Sequence, residues 1–396
     1  MSKPLSGIRV VEQGTFITGP CAGMMLADLG ADVIKVESPG GDPYRAYQEG
    51  LFSPHFQAYN RNKRSLALDL AKSDDRPLFE QLIRSADVYI QNFRPGTAAR
   101  LGAGHEHLRG LNPRLVYASI SGFGASGPYA ERPSYDSVAQ ALSGFLSVVV
   151  DPERPRFMGP ALADAITGMY AAQGILAALV ARGQQGRDGA GSHVEISMLE
   201  AMAHFAVEPF AAYFALGHAP RFSDRPRLAQ AHILRTRDGG LIAIHLSSLE
   251  KFWQELTLAI GSLELASDPR FATRLLRIEN YDALGATLDA LFSERSLAEW
   301  LELLGQRDVP FAPIQGMREV VNDPQVRELG LIVPVEGAHG GKSAVRPALQ
   351  FDGERALTVR TAPLLDEHGP AIRRALATER GWPALPAGPV LDHPSS

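Results

Sequence analysis

In the first half of the chain, short apolar runs alternate with longer stretches in which apolar residues recur every three or four positions. IRVVEQ (8–13), ADVIKVES (31–38), DVYIQNF (87–93), LVYASIS (115–121) and HVEISML (193–199) are the short runs and predict strands. GPCAGMMLADLG (19–30) and DDRPLFEQLIRSA (74–86) are the longer ones and predict helices. Strand, helix, strand at this spacing predicts an α/β fold, a parallel sheet covered by helices. Loops then gather at the carboxyl ends of the strands, where open sheets of this kind bind ligands.

The pattern changes near Pro220. HILRTRDGGLIAIHL (232–246) reads as a hairpin turning at Asp238-Gly239-Gly240. Helical stretches follow at 249–261, 281–292 and 296–308. Leu249, Phe252, Trp253, Leu256 and Ile260 fall on one helical face, which reads as core. These elements predict a smaller α+β domain over 225–330, set between a large domain at 1–224 and a return to it at 331–396. GLIVPVE (330–336) and LQFDG (349–353) are the strand candidates of that return. The tail after Arg380 is rich in proline and is expected to be loosely held.

The stretch from Met158 to Leu179, MGPALADAITGMYAAQGILAAL, is small and apolar at nearly every position. It predicts a buried helix beginning at Ala165. With Asp164, Thr167 and Gln173 inside it, a core helix fits better than a membrane span. The lone carboxylate, Asp164, has two readings. Aspartate is a favoured helix N-cap. A carboxylate buried at such a place, with Gly159, Pro160 and Gly168 leaving room around it, is also suited to attack an activated acyl group.

The composition agrees with a globular protein that buries a large core: 45% hydrophobic and 21% charged residues over 396 positions. A net charge of -5 speaks against nucleic-acid binding. One cysteine, Cys21, and an N-terminus without an apolar signal segment lead to the expectation of a cytoplasmic protein. GFGASG (122–127) matches a dinucleotide fingerprint, but Pro128 and Pro133 follow it, no helix pattern opens there, and the strand before it is not the first. A flexible loop near a ligand is the better reading, and an NAD(P)-dependent oxidoreductase ranks last. Cations cluster in NRNKRS (Arg61, Lys63, Arg64) and NFRPGTAAR (Arg94, Arg100), which suits an anionic ligand or a solvated surface. Asn92, Phe93 and Arg94 together offer an amide, an aromatic face and a guanidinium for an adenine and its phosphates. The histidines show no metal-ligand spacing, and no G-x-S-x-G elbow occurs.

Taken in order, GADVIKVESPGGDPYR (30–45), NKRSLALDL (62–70), NFRPG (92–96), SGFGASGPY (121–129), PSYDSVAQALSG (133–144), GPALADAITGMYAAQGILAAL (159–179) and APIQGMREVVNDPQV (312–326) resemble the class III coenzyme A transferase family, which includes the 2-methylacyl-CoA racemases. The resemblance implies a Rossmann-like domain built from both ends of the chain, a small domain between, and two chains interlocked as rings. It implies transfer of CoA from an acyl-CoA to a carboxylic acid, with Asp164 as nucleophile. Acyl-CoA and CoA are then substrates, and no prosthetic group, ATP or metal is needed.

The same resemblance carries CoA contacts onto Ile17 and Thr18 after the first strand, Leu68, Asp69, Ala71 and Lys72 near the adenosine, and Asn92, Phe93 and Arg94 at the adenine and phosphates. It carries a phosphate contact onto Arg100 and pantetheine contacts onto Ser134, Tyr135 and Asp136. The formyl-CoA enzymes have Gln, Arg and Lys where Ile17, Ser38 and Ala71 stand, which speaks against an oxalate–formate substrate pair. The racemases' proton-shuttling histidine falls on Tyr135. A phenol with a pKa of about 10 does not cycle protons near neutral pH as an imidazole does, so transfer ranks above racemisation.

Overall fold

A computed structural model describes residues 3–48, 50–72, 74–157, 159–184, 189–248, 250–378 and 381–383. Leu249, Met158 and most of the proline-rich tail lie outside the described residues. The chain forms two compact units, one from Met1–Leu146, Arg156–Val207 and Leu329–Ser396, the other from Ser147–Pro155 and Glu208–Glu328. The second unit thus starts earlier than the residue 225 expected from the pattern change.

The first unit is built on a six-stranded sheet: β1 (Arg9–Gln13), β2 (Asp32–Glu37), β3 (Arg64–Ala67), β4 (Val88–Gln91), β5 (Val116–Ser121) and β6 (His193–Ser197). All neighbours pair in parallel, in the order β3-β2-β1-β4-β5-β6. That is the doubly wound dinucleotide-fold order. The central strands are apolar on consecutive residues because both faces are covered. Val10 faces Ala22 and Leu26 of α1 (Thr18–Asp28) and Ala171 and Ile175 of a long helix, Leu162–Gly183. Val11 faces the opposite layer, with Leu66, Phe79 and Leu82, and with Ile372 from the helix Gly369–Thr378. The end of the chain therefore completes the layer that its beginning starts.

The long helix is apolar all round in sequence but is buried on one face only. Ala163, Thr167, Gly168, Ala171, Ala172, Ile175 and Ala178 are buried, whereas Met169 and Val180 are more than half exposed. Gly168 serves helix packing rather than substrate access. A Cβ there would lie 2.6 Å from Cys21 Cβ and 2.8 Å from the Thr18 carbonyl oxygen of α1. After the sheet, β10 (Ile332–Glu336) pairs with β11 (Ser343–Val345). LQFDG does not form the expected strand. Phe351 makes only a single bridge to Glu354.

The second unit holds an antiparallel sheet of β7 (Ala231–Arg235), β8 (Leu241–His245) and β9 (Phe311–Pro313). The first two strands are the expected hairpin. The expected helices form at Lys251–Ile260, Tyr281–Phe292 and Leu297–Gly305. Trp253, Leu256 and Ile260 are buried with Phe292 and Trp300, so these aromatics are core.

Candidate active site

The chain leaves β1 towards β2 and β3, and leaves β4 towards β5 and β6, so the crossing direction reverses between β1 and β4. A crevice opens at such a switch point, outside the carboxyl ends of the two strands. The loop after β1 is Gly14–Ile17 and the turn after β4 is Asn92–Arg94. Asn92 joins them. Its Oδ1 accepts from the Thr15 amide at 2.9 Å, and its Nδ2 donates to Thr15 O at 2.8 Å and Thr18 Oγ1 at 2.9 Å. The Asn92 amide is thereby spent on the loop rather than left for an adenine. Phe16 stands in the left-handed region at φ 58°, and its amide donates to Asp42 Oδ1 at 3.0 Å. Position 14 admits only glycine, since a Cβ would meet Pro20 Cδ at 2.9 Å and Gly19 Cα at 3.0 Å.

Beneath this loop lies a closed group of charges. Lys35 Nζ is 3.0 Å from Glu12 Oε1 and 3.0 Å from Asp42 Oδ2, and it donates to the Gly14 carbonyl at 2.7 Å. The Asp42 contact is an ion pair without hydrogen-bond alignment. Lys63 pairs with Glu12 and donates to Pro20 O and Asn60 Oδ1, both at 2.9 Å. Burial alone pushes the Glu12 carboxyl up, but Lys35 and Lys63 outweigh it and hold it below the usual carboxylate range. The NRNKRS cations are thus internal. Arg61 pairs with Asp28, Arg64 with Asp32, and Lys63 with Glu12, and none of the three is left for an anionic ligand.

Asp164 is the third residue of the helix Leu162–Gly183, whose N-cap is Ala161. It is therefore not the cap that the sequence suggested. The cap is supplied from elsewhere in the chain. Asp136 Oδ1 accepts from the Ala163 amide at 2.7 Å and the Asp164 amide at 3.4 Å. Asp164 itself is half-buried and, among the described residues, no side chain donates to it or pairs with it. Burial and then the Asp136 charge push its carboxyl up to about 7. A helix N-terminus favours an ionised carboxylate, but desolvation is the larger influence here.

That raised value has a stability consequence. The native state holds a proton on Asp164 that the unfolded chain releases, so ionising it between its ordinary 3.8 and about 7 costs native stability as the pH rises. Asp164→Asn is expected to raise the unfolding free energy at pH 8 by on the order of 1–2 kcal/mol, after discounting for solvent screening, and by clearly less at pH 5, early in that window. Thermal unfolding at the two pH values measures this.

One cavity of about 560 Å³ gathers Ile17, Thr18, Asn92, Phe93, Arg94, Ser134, Tyr135, Asp136 and Asp164 on its wall. A second, of about 400 Å³, has Leu68, Asp69 and Ala71 on its wall and shares Thr15 and Phe93 with the first. Lys72 and Arg100 line neither. Lys72 is exposed and paired with Asp69 at 3.3 Å, and Arg100 donates to Thr97 Oγ1 at 2.7 Å. The sequence reading missed Phe16, Tyr44, Tyr47, Arg132 and Phe157 of the first cavity. Arg132 lies over the Tyr129 ring at 3.9 Å, and neither it nor Arg94 is ion-paired among the described residues. GFGASG follows β5 and opens no helix, which removes the dinucleotide reading. Gly122 instead lines the cavity with Asp164.

The fold and the crevice define an α/β protein with a ligand site at its switch point, and the chain belongs to CoA-transferase family III, which it matches over residues 5–369. It is 35% identical to the acetyl-CoA:oxalate CoA-transferase of Acetobacter aceti over 94% of this chain and 96% of that one. It is also 35% identical to the succinate–glutarate CoA-transferase of Agrobacterium fabrum, over 95% and 96%. Among solved structures, a CaiB/BaiF family protein from Brucella suis superposes with a TM-score of 0.84 at 35% identity, covering 95% of this chain and 100% of that one. The chain is thus a class III CoA-transferase.

Proposed function

We propose that the protein moves CoA from an acyl-CoA to a carboxylic acid through covalent intermediates on Asp164. The observation that carries this is Asp164's placement: a carboxylate without a cationic partner among the described residues, facing the switch-point cavity beside the Thr15–Thr18 loop. The ionised carboxylate attacks the donor thioester carbonyl. A C–O bond forms, the C–S bond breaks, and CoA thiolate leaves a mixed anhydride. Thiolate then attacks the aspartyl carbonyl, giving an aspartyl-CoA thioester and the free donor acid. The acceptor carboxylate attacks that thioester, and the released thiolate takes up the new acyl group and frees Asp164. A poorly solvated cavity favours each step, because water would hydrolyse the anhydride.

The Ile17–Thr18 loop, Asn92, Phe93, Arg94, and Ser134 to Asp136 form the CoA-side wall in this reading. Leu68, Asp69 and Ala71, on the second cavity, face the adenosine in this reading, whereas Lys72 and Arg100 lie outside both cavity walls. Arg94 and Arg132 favour an anionic substrate, and relatives named for oxalate, succinate and glutarate point to short dicarboxylic acids. The protein works as an interlocked homodimer, on the family resemblance, and in the cytoplasm, on its use of a single cysteine. Racemisation fits less well. Tyr135 stands where that chemistry needs an imidazole, and among the described residues no histidine lines the cavity.

The test is covalent trapping. With acyl-CoA and hydroxylamine present, turnover is expected to leave a hydroxamate on the peptide carrying Asp164, read by mass spectrometry. Turnover without that label sinks the mechanism. Solvent deuterium entering the acyl α-carbon without any acceptor acid would favour racemisation instead.

A further inference from the structure

The second carboxylate of the cavity is not needed for any step above. Asp136 begins the short helix Asp136–Leu142, and its Oδ2 accepts from Gln140 Nε2 at 2.7 Å. Its Oδ1 reaches across to the first turn of the nucleophile's helix, taking the Ala163 amide at 2.7 Å and the Asp164 amide at 3.4 Å. Those amides are among the unsatisfied donors of a helix start and would otherwise favour a nearby anion. A neutral Asn or Ser at position 136 could cap the helix as well. An aspartate adds a negative charge beside the reacting carboxylate, and that charge needs an account.

We infer that Asp136 is a positioning residue that both fixes the first turn carrying Asp164 and makes the free Asp164 carboxylate reactive by like-charge repulsion. This rests on Asp164 being the nucleophile. Repulsion raises the energy of the ionised carboxylate but not of the neutral anhydride or aspartyl thioester made from it. Asp136 therefore tilts each attack by Asp164 towards the covalent enzyme.

The other groups around Asp164 do not supply this charge. Cys21 on α1, Tyr44 in the turn Pro43–Ala46, and Tyr59 on the helix Pro54–Asn60 all interact with it. Burial raises the thiol to about 11 and the Tyr44 phenol to about 12, and raises Tyr59 as well, so all three are neutral at working pH. On the helix Met198–Phe205, Glu200 is bonded to Ser197 and His204 to Tyr170. Among the described residues, Asp136 is the one negative charge that acts on Asp164.

The test compares the wild-type protein with Asp136→Asn, which keeps an acceptor for both amides and removes the charge. Two readouts apply: the acid limb of kcat against pH, and the fraction of Asp164 acylated when acyl-CoA is supplied without acceptor. In Asp136→Asn the acid limb is expected to move to lower pH by roughly one unit. The acylated fraction is expected to fall several-fold, with the unfolding midpoint held. Asp136→Ser, a neutral cap of different shape, repeats the test if the Asn protein does not fold. An acylated Asp164 whose pH limb and acylated fraction stay put in both variants overturns this inference alone. No acylation of Asp164 in the wild-type protein overturns the nucleophile reading, and this inference with it.

Discussion

Asp164→Ala protein transfers no CoA, while CoA itself still binds. The expected loss in kcat is at least about 10⁴-fold, the scale seen when an enzyme loses its nucleophile and keeps its binding surface. Binding survives because the rest of the cavity wall does not depend on Asp164. The Thr15–Thr18 loop is held by Asn92 and Asp42, and Phe93 and Arg94 leave from β4. The helix start also survives, since its cap comes from Asp136 through the Ala163 and Asp164 amides. Calorimetric titration with CoA and a steady-state transfer assay on the same preparation separate the two effects. An active Asp164→Ala protein would falsify the proposed mechanism outright.

Lys35→Met is expected to be the most damaging single change to stability, at about 3–5 kcal/mol. The side chains of Glu12, Lys35, Lys63 and Asp42 are all fully buried, and the four charges sum to zero. Removing Lys35 leaves two buried carboxylates facing one ammonium. It also removes the donor to the Gly14 carbonyl, at the hinge of the site loop. The unfolding midpoint in urea should fall, and the KM for acyl-CoA should rise as Gly14–Ile17 loosens. The pH dependence has a definite sign. Glu12 lies below its ordinary 4.5 in the native state, so its contribution is full above that pH and fades as the pH falls below it. A variant as stable as the wild type would mean that the group is not the mainstay of the loop.

The parallel sheet was legible because a strand covered on both faces must be apolar on consecutive residues, as in Val33, Ile34 and Val36. β3 was not, since Arg64 and Ser65 break the run, and their partners Asp32 and Glu37 lie on the neighbouring strand. The same blindness misread the NRNKRS cations. Their counter-charges sit tens of residues away, at Glu12, Asp28 and Asp32. Asp164 drew notice as a lone carboxylate in apolar sequence, but its local chain suggested that it caps its own helix. The cap is Asp136, and sequence spacing says nothing about a contact made across 28 residues. The switch-point wall came through in part. Asn92, Phe93 and Arg94 end a strand and were visible, whereas Tyr44, Tyr47 and Phe157 reach the cavity from loops without periodicity.

The close approach of Gly168 to Cys21 bears on the chemistry of sulfur in this protein. The chain's single thiol is sealed between two helices, 5% exposed, with its ionisation pushed to about 11. Thiol–disulfide exchange needs an accessible thiolate. An enzyme whose substrate carries CoA, a thiol freed in the proposed mechanism, thus has no accessible thiol of its own for exchange with an oxidised CoA disulfide. It is proof against dead-end mixed disulfides with its own substrate, and its surface is blank for a single engineered cysteine label.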